Sequence, residues 1–277
     1  MTTKGRSKKE KSTVTGYENR IVAFIDLLGF KEIIMDTVVG KNMDNTENIG
    51  KVHELLLAMR RSLDIDEGYN EFIKSKQVTQ FSDSVVISFL HDEESAVFWT
   101  LFEIQCLIVE IVSKGFLCRG GLTSGKLIHT NKLLFGPAFI DAYLMESKKA
   151  IFPRIIVDPE VIETAINYRH EDHTPEHIRE SIMDMLTKDF DDFYYIDYFE
   201  KALECLNDTS CDTPTYMDNI KQIIKRNIKN KDPKIRKKYR WVREKYNETI
   251  KPYRKKAFLE SLNDSDLYDF YKRLKKI

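Results

Sequence analysis

The stretch VAFIDLLGF, residues 22–30, decides the fold. An apolar strand over 21–26 ends on Asp26, passes through Leu-Leu-Gly and enters FKEIIMDTVV, whose apolar spacing is helical. A lone carboxylate at the end of an oily strand costs stability, whereas two that meet can hold a metal. A second acid in a similar setting lies in VTQFSDSVVISF, residues 78–89. Runs 77–81 and 84–90 are β-rich, and the short SDS between them predicts a hairpin with Asp83 in its turn.

Outward from these two segments, residues 44–63 carry a second helical pattern, and AVFWTLFEIQCLIVEIV, residues 96–112, a long apolar helix opened by Asp92, Glu93 and Glu94. Glu103, Gln105 and Glu110 interrupt that run, which reads as a half-buried helix too short and too polar to span a bilayer. GFLCRGGLTSGKLIH is β-rich, GPAFIDAYLMESKKA a helix with Pro137 at its start, and PRIIVD, residues 153–158, a strand. This order predicts an α+β fold: a ferredoxin-like βαββαβ core, its antiparallel sheet covered by helices on one face. The expected division is a disordered basic tail over 1–17, a catalytic domain over 18–168 and a mainly helical extension over 169–277.

The 277 residues are 42% hydrophobic, enough for a sizeable core. Lys+Arg and Asp+Glu are both 44, so net charge gives no argument for nucleic acid. No apolar stretch follows the basic start, so no signal peptide is expected. Cys106, Cys118, Cys205 and Cys211 show no CxxC pair and read as free thiols of a reducing cytoplasm, making the expected localisation cytoplasmic, with no membrane. Residues 158–208 are acidic, with FYYIDYF as a candidate extra strand, and 221–256 are basic and helical. Such blocks are two solvated faces, or pack on each other or on a partner.

In a βαββαβ fold the first strand lies beside the hairpin, so Asp26 and Asp83 reach one edge of the sheet. Two adjacent carboxylates repel, and Mg²⁺ or Mn²⁺ removes the penalty while taking phosphate oxygens as further ligands. Two such ions bridged by two Asp residues form the clamp used for attack at phosphorus. The Leu27 carbonyl is a further candidate metal ligand, and the backbone N–H groups of Leu28, Gly29 and Phe30 a candidate phosphate nest. Phe24 shares the face of Asp26 and is a candidate floor for a nucleotide pocket.

FIDLLGF resembles the first metal motif of class III nucleotidyl cyclases, and FSDSVVISF their second, with Ser82 in place of glycine. RGGLTSGKL and FGPAFIDAYLMES resemble the later strand and helix of that domain. Among such enzymes the chain resembles the pyrimidine cyclases of bacterial antiphage (Pycsar) systems, in FIDLLGF, FSDS, GPAFIDAY and PRII, over roughly residues 18–165. The resemblance implies conversion of UTP, or else CTP, to a 3′,5′-cyclic monophosphate and pyrophosphate, with two divalent cations, Mn²⁺ or Mg²⁺. It implies a homodimer with shared sites, for which the helix 96–112 and the strand 116–128 are candidate interface elements, and a separate effector activated by the product. Purine cyclases carry a charged base reader where this chain has Thr79, which joins the nucleotide-binding set, and a second where it has Leu133. Their transition-state Asn and Arg fall on Ile140 and Leu144, or with a shift of one on Asp141, leaving Arg119, Lys148, Lys149 or Arg154 to supply a cation, or the metals alone. A degenerate nucleotide sensor and an ordinary adenylate or guanylate cyclase are the competing readings.

His170, His173 and His177 are spaced for zinc, but no Cys is near and Thr174-Pro175 breaks a helix there. SGKLIHTNK lacks the spacing of a P-loop. Tyr239, Trp241 and Tyr253 on the basic helix read as a structural face rather than a nucleic-acid surface.

Overall fold

The computed structural model describes residues 16–40, 43–65, 72–206 and 208–277, so most of the expected N-terminal tail lies outside the described residues. The chain runs β1 (Glu18–Leu27), α1 (Phe30–Met35), β2 (Val38–Val39), β3 (Met43–Asp44), α2 (Thr46–Ser62), β4 (Gln77–Phe81), β5 (Ser84–Leu90), α3 (Ala96–Ser113), β6 (Cys118–His129), β7 (Leu134–Phe135) and α4 (Pro137–Leu144). A π-helical turn (Met145–Lys149) leads to β8 (Ile155–Val157), α5 (Pro159–Asn167), α6 (Pro175–Met183), β9 (Leu186–Lys188) and β10 (Tyr194–Ile196). After a 3₁₀ turn (Leu203–Cys205), α7 (Thr209–Asn227), α8 (Pro233–Tyr253), α9 (Lys256–Ser261) and α10 (Ser265–Arg273) complete it.

The main sheet has the order β4-β5-β1-β6-β8-β10-β9, with β7 on β6. Its first four strands alternate in direction, and with α2 and α3 as crossovers they form the βαββαβ core. The fold is therefore α+β with a mainly helical C-terminal extension. The sheet is mixed rather than antiparallel, because β6 and β8 run parallel. Helices also cover both faces, not one. Ile21, Ala23, Ile25 and Leu27 join the main core with α2 and α3, while Val22 and Phe24 face Ala138 and Ala142 of α4.

Glycines in β6 let α4 approach. A Cβ on Gly121 would lie against the Met145 Cβ and 3.0 Å from the Ala142 carbonyl oxygen. Gly121→Ala should therefore cost about 1–3 kcal/mol, read as a lower Tm, because backbone must move to admit the methyl. An unchanged Tm would show that α4 is not seated as described.

The first helix stops at Met35, short of the expected FKEIIMDTVV, because Val38–Val39 pairs with Met43–Asp44. α3 begins at Ala96 after Ser95 in a left-handed conformation, so Asp92, Glu93 and Glu94 precede it. By length and composition α3 does reach the minimum for a membrane span, but 61% of that stretch is buried inside the fold. Its apolar side chains, Leu101, Ile104, Leu107 and Ile111 among them, pack in the chain's own core, while Phe98, Trp99 and Phe102 stay partly exposed.

Two further expectations change. Cys106 and Cys205 form a disulfide, and Cys118 is free and buried. Their separation of 99 residues leaves no local spacing to read, and the cysteines no longer argue for a reducing compartment. The acidic and basic blocks pack on each other: Lys245 of α8 lies 2.9 Å from Asp189, whose carboxylate also accepts from the Trp241 indole at 2.8 Å. Asp189 ionises more readily as a result, the Lys245 and Trp241 bonds outweighing its burial. FYYIDYF supplies β10, and residues on both sides of position 168 share one apolar core.

Candidate active site

β1 and the β4–β5 hairpin bring Asp26 and Asp83 together at one corner of the sheet. Asp26 pairs with Ser84 across β5 and with Arg119 across β6. The Leu27 N–H donates to the Asp83 carbonyl at 3.2 Å, which ties the hairpin turn to the end of β1. Ser82 takes φ 57°, the left-handed turn geometry that glycine adopts at lower cost. Asp26 is half-buried and accepts a 2.9 Å hydrogen bond from the Ser84 hydroxyl.

Burial raises the Asp26 pKa. The Ser84 hydrogen bond opposes this, the Asp83 charge adds to it, and Arg119 and Lys238 oppose it. Arg119 lies 4.0 Å from Asp26, and its Nε lies 2.5 Å from Glu146 Oε1, an ion pair rather than an aligned hydrogen bond. Burial likewise raises the pKa of Glu146, against the pull of Arg119. Lys238, carried by α8, has its pKa lowered by burial and by Arg119, against Glu146 and Asp26. Two cations and two carboxylates thus meet beside the hairpin turn.

Phe24 lies where Asp26's face of the strand predicts. Its ring centroid is 6.3 Å from Phe81, 6.0 Å from Phe139 and 5.5 Å from Tyr143. Thr79 pairs with Val86, which pairs with Phe24, so Thr79 shares that face one rung from Asp26. Leu27 is buried. The expected nest is reduced: the Leu28 N–H donates to the Leu117 carbonyl at 2.8 Å, Phe30 is buried, and the helix after Gly29 has only 6 residues. Leu28 and Gly29 instead line a cleft of about 600 Å³ whose other wall carries Arg226 of α7 and Lys238 of α8.

Of the four candidate cations only Arg119 faces Asp26. Arg154 is fully buried, paired with Asp189 and Asp191, and packed near Phe152 and Trp241. That corrects its candidacy, since its charge is already spent inside the core. Lys148 and Lys149 are exposed at the end of the π-helical turn. Leu133, Ile140 and Leu144 are exposed as well. Glu146 and Lys238 were not legible as site residues. Glu146 sits within FIDAYLMES with nothing to mark it, and Lys238 is one lysine of many in a basic helix. His170, His173 and His177 lie near one another, but no cluster of three or more metal-binding side chains occurs among the described residues.

The donor set fits Mg²⁺ or Mn²⁺. Two carboxylates and a backbone carbonyl are all oxygen, and the half-buried Asp26 beside a second acid is stabilised by added positive charge. Such an ion would draw its remaining ligands from water and substrate phosphate.

No family model and no curated protein matches this chain. Solved structures do. A bacterial light-regulated adenylyl cyclase is 16% identical over 53% of this chain, with a TM-score of 0.40. A second structure of such an enzyme is 17% identical over 53%, with a TM-score of 0.38. The adenylyl cyclase CyaB from P. aeruginosa is 12% identical over 65% of this chain and 94% of its own, with a TM-score of 0.39. The match spans only 45% of each light-regulated enzyme.

Proposed function

We propose that this protein is a metal-dependent pyrimidine nucleotide cyclase that converts UTP, or else CTP, to the 3′,5′-cyclic monophosphate and pyrophosphate. The observation that carries the reading is the meeting of Asp26 and Asp83 at the joined end of β1 and the hairpin turn. The 3′-oxygen attacks the α-phosphorus, the bond to the β-phosphate oxygen breaks, and the hydroxyl proton leaves to solvent. Asp26, Asp83 and the Leu27 carbonyl would hold two divalent cations, which when bound lower the pKa of the hydroxyl and neutralise phosphate charge.

The chain's own residues do the rest. Arg119, held by Glu146, and Lys238 place positive charge beside the reacting phosphates, where Ile140 and Leu144 offer none. Arg226 and Lys238 line the cleft next to Gly29, a suitable exit for pyrophosphate. Phe24 and the exposed Phe81 form an apolar floor beside Thr79. A neutral Thr79 offers no charged partner to a purine edge, and each unmet polar group there costs about 1–3 kcal/mol. Similarity to the antiphage pyrimidine cyclases supports a cytoplasmic messenger-producing role, acting through a separate effector. It also supports a homodimer, for which the exposed Ile140, Tyr143 and Leu144 on α4 supply apolar surface.

The test is release of pyrophosphate from UTP and CTP with Mn²⁺, in the full chain and in Lys238→Met. The variant should fold normally and lose at least about tenfold in kcat/KM, the effect of one misplaced charge partner. No metal-dependent release from either nucleotide would overturn the proposal, and full activity in Lys238→Met would remove α8 from the site.

A further inference from the structure

The chain's zero net charge hides one stretch of a single sign. Residues 225–243, the end of α7, the turn and the first half of α8, carry ten Lys and Arg against one acid, Asp232. Asp232 caps α8, accepting from the Lys234 N–H at 2.7 Å. The ion pairs of these helices lie outside the stretch, at Lys221 with Asp218 and at Lys245 with Asp189 and Glu248. Within it, Lys238 approaches Glu146 and Asp26, and Arg226 lines the cleft beside Gly29. Lys225, Lys229, Lys231, Lys234, Lys237 and Arg240 are exposed, and none of them forms an ion pair among the described residues. Like charges this close repel, so the patch costs stability and nothing inside the chain offsets it. A bound polyanion would.

An aromatic ring stands at the edge of this patch. Phe190, in the turn between β9 and β10, is 73% exposed. Its turn is held in place. The Asp192 N–H donates to the Asp189 carbonyl at 3.1 Å, the Phe190 N–H donates to Asp189 Oδ1 at 3.0 Å, and the Asp189 carboxylate is anchored by Lys245 and Trp241. The other acids of the turn do not cancel the patch, since Asp191 pairs with Arg154 and Asp192 with Lys188. Phe152 joins the two features: its ring centroid lies 5.5 Å from that of Phe190 and 5.5 Å from Lys237 Nζ. Lys234 and Lys237 share one face of α8 with Trp241, which stacks on Phe152 at 5.6 Å.

We infer that the α7–α8 turn and Phe190 together bind single-stranded nucleic acid, the cations holding phosphates and the ring stacking on an unpaired base. An acidic peptide would answer the charge but has no flat base to lay on the ring. A duplex would answer the charge but keeps its bases stacked inward, out of reach of Phe190. Phosphate and a free base are common to RNA and DNA, and neither charge nor stacking separates one base from another, so binding is expected to be independent of sequence.

Fluorescence anisotropy tests this, with the full chain and labelled RNA and DNA strands of about 20 nucleotides and mixed sequence, long enough for one such site. Affinity should fall as salt rises, with a log–log slope of about −0.7 for each phosphate held. Lys231→Glu combined with Lys234→Glu should weaken binding at least about tenfold and make that slope shallower. Phe190→Ala should weaken single strands about tenfold, leave the slope unchanged, and have no effect on the weaker binding of a duplex. Binding of either strand with these responses upholds the inference, and the tighter of the two identifies the polymer. No binding at low salt, a duplex held as tightly as a single strand, or undiminished single-strand affinity in Phe190→Ala overturns it. So does equal or tighter binding of polyglutamate or of phosphatidylserine vesicles, which would assign the patch to an acidic protein or to a membrane. The measurements use neither nucleoside triphosphate nor metal, so their outcome is independent of whether the corner at Asp26 turns over a nucleotide.

Discussion

Asp26→Asn and Asp83→Asn should each lower cyclic nucleotide formation at saturating Mn²⁺ by at least about a hundredfold, in protein that remains folded. Each substitution removes a charge and a metal-binding oxygen from a clamp that contributes several kcal/mol to the transition state. The asparagine at 26 retains an oxygen to accept from the Ser84 hydroxyl, so the end of β1 keeps its contact with β5. Without divalent cations Asp26→Asn should melt at or above the temperature of the natural protein near neutral pH. Burial raises the pKa of Asp26, so the folded state binds its proton more tightly than the unfolded state does. Its contribution to stability is fully present below the unfolded pKa and is lost as pH rises through the folded one, leaving a penalty that the amide does not share. Mn²⁺ should raise the Tm of the natural protein and have a smaller effect on this variant. A variant at either position that keeps more than a tenth of the natural rate contradicts the two-metal assignment.

A chain cut after residue 168 should fail to fold. α7 contributes Tyr216, Met217, Ile220, Ile223 and Ile224 to the main core, and α8 contributes Trp241, Val242, Tyr246 and Ile250. Truncating a single buried aromatic costs about 3–5 kcal/mol, and whole-protein stability is about 5–15 kcal/mol, so losing both helices exceeds what the remainder holds. The cut also strands polar groups. Arg154 loses the carboxylates of Asp189 and Asp191, and the Pro153 carbonyl loses its 2.8 Å hydrogen bond from Tyr198. Soluble expression and a far-UV CD melt decide it. A soluble fragment of residues 16–168 with a cooperative transition would show the extension to be a separate module.

The core of the fold was legible because its signals are local. β1 and β5 are apolar runs, the hairpin turn is two residues, and the alternation along β1 separates Phe24 and Asp26 from Ile25 and Leu27. Adjacency of β1 to the hairpin follows from the βαββαβ order, so a corner holding Asp26 and Asp83 could be anticipated from the chain alone. What was not legible depends on long-range packing. The Cys106–Cys205 disulfide, the Asp189–Lys245 pair and the approach of Lys238 to Glu146 all join residues far apart in sequence. Arg154 read as a free cation because nothing near it in sequence announces the acids that enclose it. His129 gave no sign of its 2.9 Å hydrogen bond with Thr79, since that contact exists only once β6 and β4 share a sheet face.

The central claim is that the Asp26–Asp83 corner cyclises a pyrimidine nucleotide. The most direct measurement is incubation of the pure full chain with each of ATP, GTP, CTP and UTP and with Mn²⁺, followed by mass identification of the products. Cyclic UMP as the main product, released with pyrophosphate and absent in Asp26→Asn, is the predicted result. Cyclic AMP or cyclic GMP as the main product would contradict the pyrimidine reading, and no cyclic product from any of the four would contradict the cyclase itself.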